Sequence, residues 1–153
     1  MFMTIIKFMS LKTSTHEKLV LKGVISELRK VCSKVLCHAK QLGYCDDDTF
    51  AVHLAMEEAI INAVKHGNRA DCNKNVTIEY DITPEKICIS ITDEGGGFEP
   101  EDVADPRSGE NIYKTGGRGV LLIKSYMDSI EYNQTGNSII MTKINSKHSK
   151  NQL

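Results

Sequence analysis

The sequence predicts an α+β fold with a mostly antiparallel sheet, on three observations. Residues 50–65 carry apolar side chains at spacings of three and four, the period of a helix with one buried face. Residues 86–93 (KICISITD) alternate apolar and polar side chains, which is typical of a half-buried strand. Two apolar segments, 130–134 and 138–144, flank a turn at 135–137 and indicate a β-hairpin.

The N-terminal third is predicted to contain one strand and one long helix. We interpret residues 1–10 (MFMTIIKFMS) as a first strand, because they lack the basic leader and small-residue cleavage site of a signal peptide. Ser14 and Glu17 have the spacing of a capping box and predict the start of a long helix that ends at Gly43. The acidic residues 46–48 suit the beginning of the next helix, which they could cap.

The remaining elements complete one domain. Residues 76–82 (VTIEYDI) predict a strand that a tight link joins to the strand at 86–93, and residues 120–127 predict an apolar helix. We expect a single domain over residues 1–146, followed by a polar tail over residues 147–153.

Composition excludes several function classes. The 153 residues include 19 basic and 20 acidic side chains, a net charge of −1, so neither nucleic acid nor a membrane is an expected partner. No apolar run approaches the length of a membrane helix. The 5 cysteines form no CxxC pair and most fall at apolar positions, which favours reduced core thiols in a cytoplasmic protein.

Polar side chains form a stripe on the central helix. Glu58, Asn62 and His66 recur every four residues and therefore lie along one side of it, next to the apolar face. A carboxamide oxygen such as that of Asn62 is a hard ligand for Mg²⁺, and a carboxylate one turn away could accept a proton from a hydroxyl. The alternative is an ordinary solvated stripe on an amphipathic helix.

Two glycine-rich turns favour the functional interpretation. The first glycine turn (94–97) follows Asp93 at the end of a strand, where glycines allow close approach of backbone to a ligand. The carboxylate of Asp93 could accept a hydrogen bond from an exocyclic amine such as that of adenine. The second glycine turn (116–119) leads into an apolar helix and could present free N–H groups to a phosphate. The order of these parts is more specific than any one of them.

The motifs resemble those of the GHKL ATPases, the superfamily of the gyrase, heat-shock chaperone, histidine kinase and MutL ATP domains. Residues 57–68 (EEAIINAVKHGN) are similar to its N box, 93–98 (DEGGGF) to its G1 box and 116–128 to its G2 box. Within it, the chain most resembles the bacterial anti-sigma-factor serine/threonine kinases, over residues 14–144. The resemblance implies the Bergerat fold: a two-layer sandwich of a mixed, mostly antiparallel sheet with helices on one face.

On the phosphate side, the resemblance implies a role for five residues. Glu58 would be the general base and Asn62 the Mg²⁺ ligand. His66 would lie near the phosphates of ATP, and Gly117 and Gly119 would let the backbone reach them.

On the adenine side, Asp93 would bind the exocyclic amine, with Gly95 and Gly97 shaping the base pocket. Thr142 matches a threonine that supports this aspartate. Arg118 departs from the family pattern, in which an apolar residue is common; it is either a phosphate contact or an exposed side chain.

A long segment without periodicity, residues 98–115, separates the two glycine turns. Segments of this length inside a compact domain are usually functional or disordered. We interpret it as a lid over the phosphates, from which Arg107 and Lys114 could reach them, although an ordinary surface loop explains these two side chains equally well.

The resemblance implies an ATP- and Mg²⁺-dependent serine/threonine-protein kinase. Such a kinase binds a sigma factor and phosphorylates a STAS-type anti-anti-sigma protein, and its relatives commonly form homodimers. Two alternatives stay open: a nucleotide-gated binding module without phosphoryl transfer, and a detached histidine-kinase ATPase domain.

Overall fold

A computed structural model describes residues 14–97 and 115–149. The strands form a 5-stranded sheet in the order β1-β2-β3-β5-β4. The elements are β1 (Thr15–Lys22), α1 (Ile25–Gln41), α2 (Asp46–Ile61), β2 (Asn75–Ile82), β3 (Lys86–Asp93), α3 (Thr115–Tyr126), β4 (Ser129–Tyr132), β5 (Ser138–Ile144) and α4 (Ser146–Ser149). A single π-helical turn over Asn62–Gly67, called the π-turn below, continues α2.

All strand pairs among the described residues are antiparallel. The sheet was expected to be mixed, and in the described ranges no parallel pair occurs. Tyr80 on β2 lies opposite Ile89 on β3, which in turn lies opposite Met141 on β5. All three side chains are buried. Because strand side chains alternate between faces, this register places one continuous apolar row on a single face of the sheet.

The helices cover that apolar face. Every second residue of β2 and β3 is buried, and these side chains belong to one core cluster with residues of α1, α2 and α3, such as Leu28, Val52 and Ile123. The opposite face of the sheet is partly exposed, with Val20 and Ile140 among its apolar residues. The α+β sandwich with helices on one face is confirmed.

The N-terminal helix prediction is wrong at its start. Ser14 and Glu17 do not open a helix, because Thr15–Lys22 is the edge strand β1 and α1 begins at Ile25. Glu17 instead accepts a hydrogen bond from Lys34 on α1. The strand predicted for residues 1–10 lies outside the described residues.

Helix α2 begins at the predicted place, but the acidic residues 46–48 do not cap it. Cys45 precedes the first turn without a side-chain cap, and the acidic residues 46–48 lie inside that turn. Asp48 is buried and accepts hydrogen bonds from both the backbone N–H and the hydroxyl of Ser146, each 2.9 Å long. This carboxylate therefore fastens the chain after β5 to the start of α2.

Most of the cysteines are less buried than the apolar character of their sequence positions predicted. Cys32 is buried, Cys37 and Cys72 are exposed, and Cys45 and Cys88 are intermediate; all five are free thiols. The prediction of core thiols is right for Cys32 alone. Within the described ranges, no helix combines the length and the apolarity that crossing a membrane requires.

Truncation of a central core residue should measure how much stability the shared core supplies. Ile89 is 0% exposed, so Ile89→Ala removes apolar contacts on the helix side of β3 and should lower the free energy of unfolding by about 2–5 kcal/mol. Ile140→Ala on the open face, where the side chain is 37% exposed, is the matched control and should cost below about 1 kcal/mol. Urea unfolding of both variants checks this; equal losses would contradict the placement of the core.

Candidate functional site

The C-terminal end of α2 widens into the π-turn. The N–H of Asn68 donates to the carbonyl of Ala63 at 2.8 Å, a bond that spans five residues instead of four. Single π-helical turns inside α-helices are frequent at functional sites. Directly after it, Arg69 and Ala70 adopt positive φ values of 52° and 57°, a region that side chains other than glycine seldom occupy. The chain thus leaves the helix in irregular backbone conformations that are energetically unfavourable for these two residues.

Gly119 on α3 packs against the polar stripe that includes Glu58 and Asn62. A Cβ atom added at Gly119 would lie 2.6 Å from the Oε2 atom of Glu58 and 3.5 Å from the Nδ2 atom of Asn62. A side chain at this position would have to displace the carboxylate of Glu58. Glu58, Asn62 and Gly119 therefore meet at one point, where a carboxylate and a carboxamide lie beside bare backbone.

The second glycine turn belongs to a helix, not to a preceding loop. Helix α3 begins at Thr115, five residues before the predicted start at Val120, so Gly117, Arg118 and Gly119 lie in its first turns. The first N–H groups of a helix have no partner within it, and the dipole is positive at this end. The early start places the free N–H groups at residues 115–118, and anion binding there stays a prediction. Arg118 is exposed.

Glu57 and Glu58 have different surroundings. The carboxylate of Glu57 accepts a hydrogen bond from Nε of Arg29 on α1, with Oε2 at 2.9 Å. Glu58 instead borders Gly119 on α3. Of the two neighbours, Glu58 is the one placed to act beside Asn62.

The first glycine turn packs against the end of the π-turn. A Cβ atom at Gly67 would lie 2.6 Å from Oδ1 of Asp93, and one at Gly95 would collide with the carbonyl of Gly67. Oδ1 of Asp93 also accepts a hydrogen bond of 2.7 Å from the N–H of Gly95. The Asp93 carboxylate is thus held between two glycines. Gly67 was not among the predicted site residues, because nothing local distinguishes it from an ordinary glycine at a helix end.

Two asparagines hold the first glycine turn in place, and neither was predicted. Asn68 is 0% exposed; its Oδ1 accepts from the N–H of Glu94 at 2.8 Å, and its Nδ2 donates to the carbonyl of Asn75 at 2.9 Å. From the other side, Asn137 donates through Nδ2 to the carbonyl of Asp93 at 2.9 Å. Both amides satisfy backbone groups that the turn would otherwise leave without partners.

The β4–β5 turn closes the same region. Gly97 has a positive φ of 77°, and a Cβ atom there would collide with the carbonyl of Thr135. Glycine is therefore required at this position for both conformation and space.

Thr142 does not support Asp93, and that prediction is wrong. In the register of β3 and β5, Thr142 lies opposite Cys88, five residues before Asp93. At about 3.3 Å per residue, this separates the two by roughly 16 Å. The β5 residue nearest the aspartate end is Ser138, which lies opposite Thr92 with the two hydroxyl oxygens 2.7 Å apart.

The remaining predicted residues are less constrained. His66 lies in the π-turn with an exposed side chain. The proposed lid, with Arg107 and Lys114, lies outside the described residues.

The electrostatics of the adenine side centre on Asp93. Burial raises the pKa of the Asp93 carboxyl, and the N–H of Gly95 and the charge of Lys74 oppose that rise. A partly desolvated carboxylate with one oxygen engaged by backbone can accept a further hydrogen bond from a ligand amine.

The arrangement as a whole suits an adenine nucleotide with a divalent cation. Glu58 lies near the end of α2, and Asp93 lies against Gly67 at the end of the π-turn. Gly67 comes nine residues after Glu58, which corresponds to a helical rise of roughly 13 Å. The distance between Glu58 and Asp93 is therefore comparable with the length of a nucleoside triphosphate. The donor set fits Mg²⁺, since the Asn62 carboxamide and nucleotide phosphates are the oxygen ligands that this ion prefers. The fold and site define a domain suited to binding a nucleotide.

Comparison with known proteins agrees with this class. A family profile described as a histidine kinase-like ATPase domain matches residues 21–143. The serine-protein kinase RsbW of Listeria innocua is 32% identical over 117 residues, covering 71% of this chain and 74% of that protein. RsbW of Staphylococcus aureus strain MSSA476 is 33% identical over 127 residues, 78% of each chain.

A solved structure shares the fold. It contains the RsbU and RsbW domains of Rv1364c from Mycobacterium tuberculosis and superposes with a TM-score of 0.57 at 14% identity, covering 85% of this chain. This chain spans 32% of that longer protein. The chain belongs to the histidine kinase-like (GHKL) ATPase family, among the anti-sigma-factor kinases similar to RsbW.

Two neighbouring glycines provide a matched test of the site geometry. A methyl group at Gly95 would collide with Gly67 and approach Oδ1 of Asp93 to 2.7 Å, whereas one at Gly96 meets no atom within 4 Å. We expect Gly95→Ala to weaken ATP binding at least about tenfold, the effect of losing one charged hydrogen bond. Gly96→Ala should stay within about twofold. Calorimetric titration with Mg-ATP distinguishes them, and equal affinities would contradict the tight turn.

The raised pKa of Asp93 predicts a conflict between stability and binding. A carboxyl whose folded-state pKa is raised stabilises the fold only at low pH, and this contribution is lost as the pH rises through the folded-state pKa. Asp93→Asn should therefore be at least as stable as wild type at pH 7, with the difference shrinking towards about pH 4. Its ATP affinity should fall at least about tenfold, because a charged hydrogen bond is lost.

Urea unfolding at two pH values and ATP titration measure the two effects. Asp81→Asn, at an exposed position of β2, is the control and should change neither. A variant Asp93→Asn that binds ATP like the wild type would show that Asp93 does not contact the base.

Proposed function

We propose that the protein is an ATP- and Mg²⁺-dependent serine/threonine-protein kinase that also acts as an anti-sigma factor. The observation that carries this proposal is the meeting of Glu58, Asn62 and Gly119 at the start of α3. A base, a metal ligand and a bare helix terminus are the three groups that phosphoryl transfer needs in one place, because its catalysis is mostly positioning and charge stabilisation.

In the transfer step, the hydroxyl of an acceptor serine or threonine attacks the γ-phosphorus of ATP. The bond from that phosphorus to the bridging oxygen breaks, and ADP leaves with its electron pair. Glu58 accepts the proton of the hydroxyl. Asn62 would hold Mg²⁺, which neutralises phosphate charge when bound. The N–H groups at the start of α3, reached across Gly117 and Gly119, bind phosphate oxygens.

At the base end, Asp93 accepts a hydrogen bond from the adenine amine. Gly95 and Gly97 shape the base pocket by letting the turn pack closely against Gly67 and Thr135, and Asn68 and Asn137 hold that turn. Because both asparagines act through backbone groups, they are positioning residues. His66, Arg118 and the lid are assigned to the phosphate side, and Thr142 is not assigned to the site.

The family relation supports the choice of substrate and partners. The related proteins are named serine-protein kinases, which supports a serine or threonine, and not a histidine, as the acceptor. We assign a STAS-type anti-anti-sigma protein as the substrate and a sigma factor as the second partner, bound by a homodimer in the cytoplasm.

Two substitutions separate nucleotide binding from transfer. Asn62→Ala should abolish Mg²⁺-dependent ATP binding, because the carboxamide ligand is lost. Glu58→Ala should keep ATP affinity within about threefold and slow transfer at least about 100-fold, the usual contribution of a general base. Glu79→Gln, on the sheet face away from the helices, is the control and should retain both activities.

The assay uses γ-labelled ATP, the purified protein and an extract of its own cells. An acid-stable labelled protein, formed by wild type and Glu79→Gln but not by Glu58→Ala, is the expected result. An acid-labile product would indicate phosphohistidine. Binding of ATP without any labelled product would replace the kinase with a nucleotide-gated binding module, and normal Mg-ATP binding by Asn62→Ala would displace the metal from Asn62.

A further inference from the structure

A second group of metal-ligating side chains lies between α1 and α2, apart from the nucleotide site. It consists of Cys32 on α1 and of His53 and Glu57 on α2, and their ligating atoms all lie within 4.8 Å of one another. His53 and Glu57 are four residues apart and therefore share one helix face, with Nε2 and Oε1 separated by 3.9 Å. Sulfur, nitrogen and oxygen donors thus converge from two helices.

The burial of the three side chains suits a metal site with an open position. Cys32 is only 2% exposed and forms the floor of the group. The side chain of His53 is 49% exposed and that of Glu57 is 21% exposed. A cation can therefore enter from solvent on the α2 side and keep a water molecule as a fourth ligand.

Arg29 holds the carboxylate in a suitable orientation. Its Nε lies 2.9 Å from Oε2 of Glu57 and 3.1 Å from Oε1, so Oε2 accepts the closer hydrogen bond while Oε1 is the oxygen that faces His53. Carboxylates that bind metals are commonly fixed by such an outer hydrogen bond. Arg29 therefore supports the carboxylate through both oxygens, and Oε1, which has the longer of the two contacts, is the oxygen that a cation would share.

The donor set selects the kind of cation. Mg²⁺ and Ca²⁺ prefer oxygen ligands, whereas thiolate and imidazole together suit Zn²⁺ and similar borderline-soft ions. Bond lengths of about 2.0–2.3 Å place the ligand atoms of a tetrahedral zinc site roughly 3.3–3.6 Å apart. The ligand atoms now lie within 4.8 Å of one another, so side-chain movements that bring them up to about 1.5 Å closer together would reach this spacing.

We propose that Cys32, His53 and Glu57 form a binding site for one Zn²⁺ ion, with water as the fourth ligand. On binding, the Cys32 thiol releases its proton to solvent and the thiolate coordinates the ion; no electron is transferred. Binding opposes the burial that raises the pKa of this thiol to about 12, so the site costs more to occupy than an exposed thiol would. The site would join α1 to α2 one residue away from Glu58.

The test uses Co²⁺ as a coloured substitute for Zn²⁺, added to metal-free protein without nucleotide or Mg²⁺. We expect one equivalent to bind and to produce the near-ultraviolet absorption of a thiolate–cobalt bond, which Zn²⁺ then displaces. Cys32→Ser should lose this absorption. Cys37→Ser, which removes an exposed thiol of the same helix, should keep it. His53→Ala should weaken Co²⁺ binding at least about tenfold.

His53→Ala keeps the experiment decisive if Cys32→Ser does not fold, because the His53 side chain is half exposed and circular dichroism can verify that the variant is native. No thiolate absorption in the wild type, unchanged absorption in Cys32→Ser, or unchanged affinity in His53→Ala would each overturn the proposal. Since nucleotide is absent, none of these results depends on kinase activity.

Discussion

The close approach of the first glycine turn to the end of α2 is the constraint on which the site depends. Gly67 and Gly95 lie so near to each other and to the Asp93 carboxylate that neither position has room for a side chain. This contact joins the central helix to the central strand, and so it fixes the position of Asp93 relative to Glu58 and Asn62. The widened π-turn and the positive φ values after it are the backbone geometry that brings Gly67 there.

Buried asparagines make this contact possible, because a tight turn leaves backbone groups that must find partners. The amide of Asn68 satisfies one donor and one acceptor at once, joining Glu94 to Asn75 across the start of β2. From the β4–β5 turn, the side-chain amide of Asn137 donates to the carbonyl of Asp93, and the backbone N–H of Asp93 donates to the carbonyl of Asn137 at 2.9 Å. These hydrogen bonds hold the turn although it is rich in glycine. The N–H of Gly95 orients the partly buried carboxylate of Asp93.

Sequence periodicity predicted the elements whose burial is one-sided. The helix over residues 50–65 and the strands β3 and β5 have clear apolar periods, and the structure confirms them. Strand β1 was mistaken for a helix because it lies at the sheet edge, where no residue is fully buried, and because its first four residues are all polar. Its Ser-x-x-Glu spacing was then the strongest local signal, and tertiary pairing with β2 overrode it.

Some residues of the candidate site were predicted from local patterns, and others were not. Glu58 and Asn62 were predicted because polar residues are unusual beside the apolar face of a helix, and Asp93 was predicted because it ends a strand beside glycines. Gly67, Asn68 and Asn137 matter only through partners distant in sequence, which no local pattern shows. Thr142 was misplaced because sequence order gives the strand but not the register, and a shift of four residues within β5 moves a side chain roughly 13 Å.

The pair Glu57 and Glu58 shows how one helix can serve two sites. Consecutive residues on an α-helix differ by about 100° in direction, since a turn contains 3.6 residues. Glu57 therefore faces α1, where Arg29, His53 and Cys32 surround it, and Glu58 faces α3, beside Asn62 and Gly119. Any displacement of α2 relative to α1 must move both carboxylates together, because the helix between them is rigid. Packing between α1 and α2 thus sets the position of the proposed base as directly as its contact with α3 does.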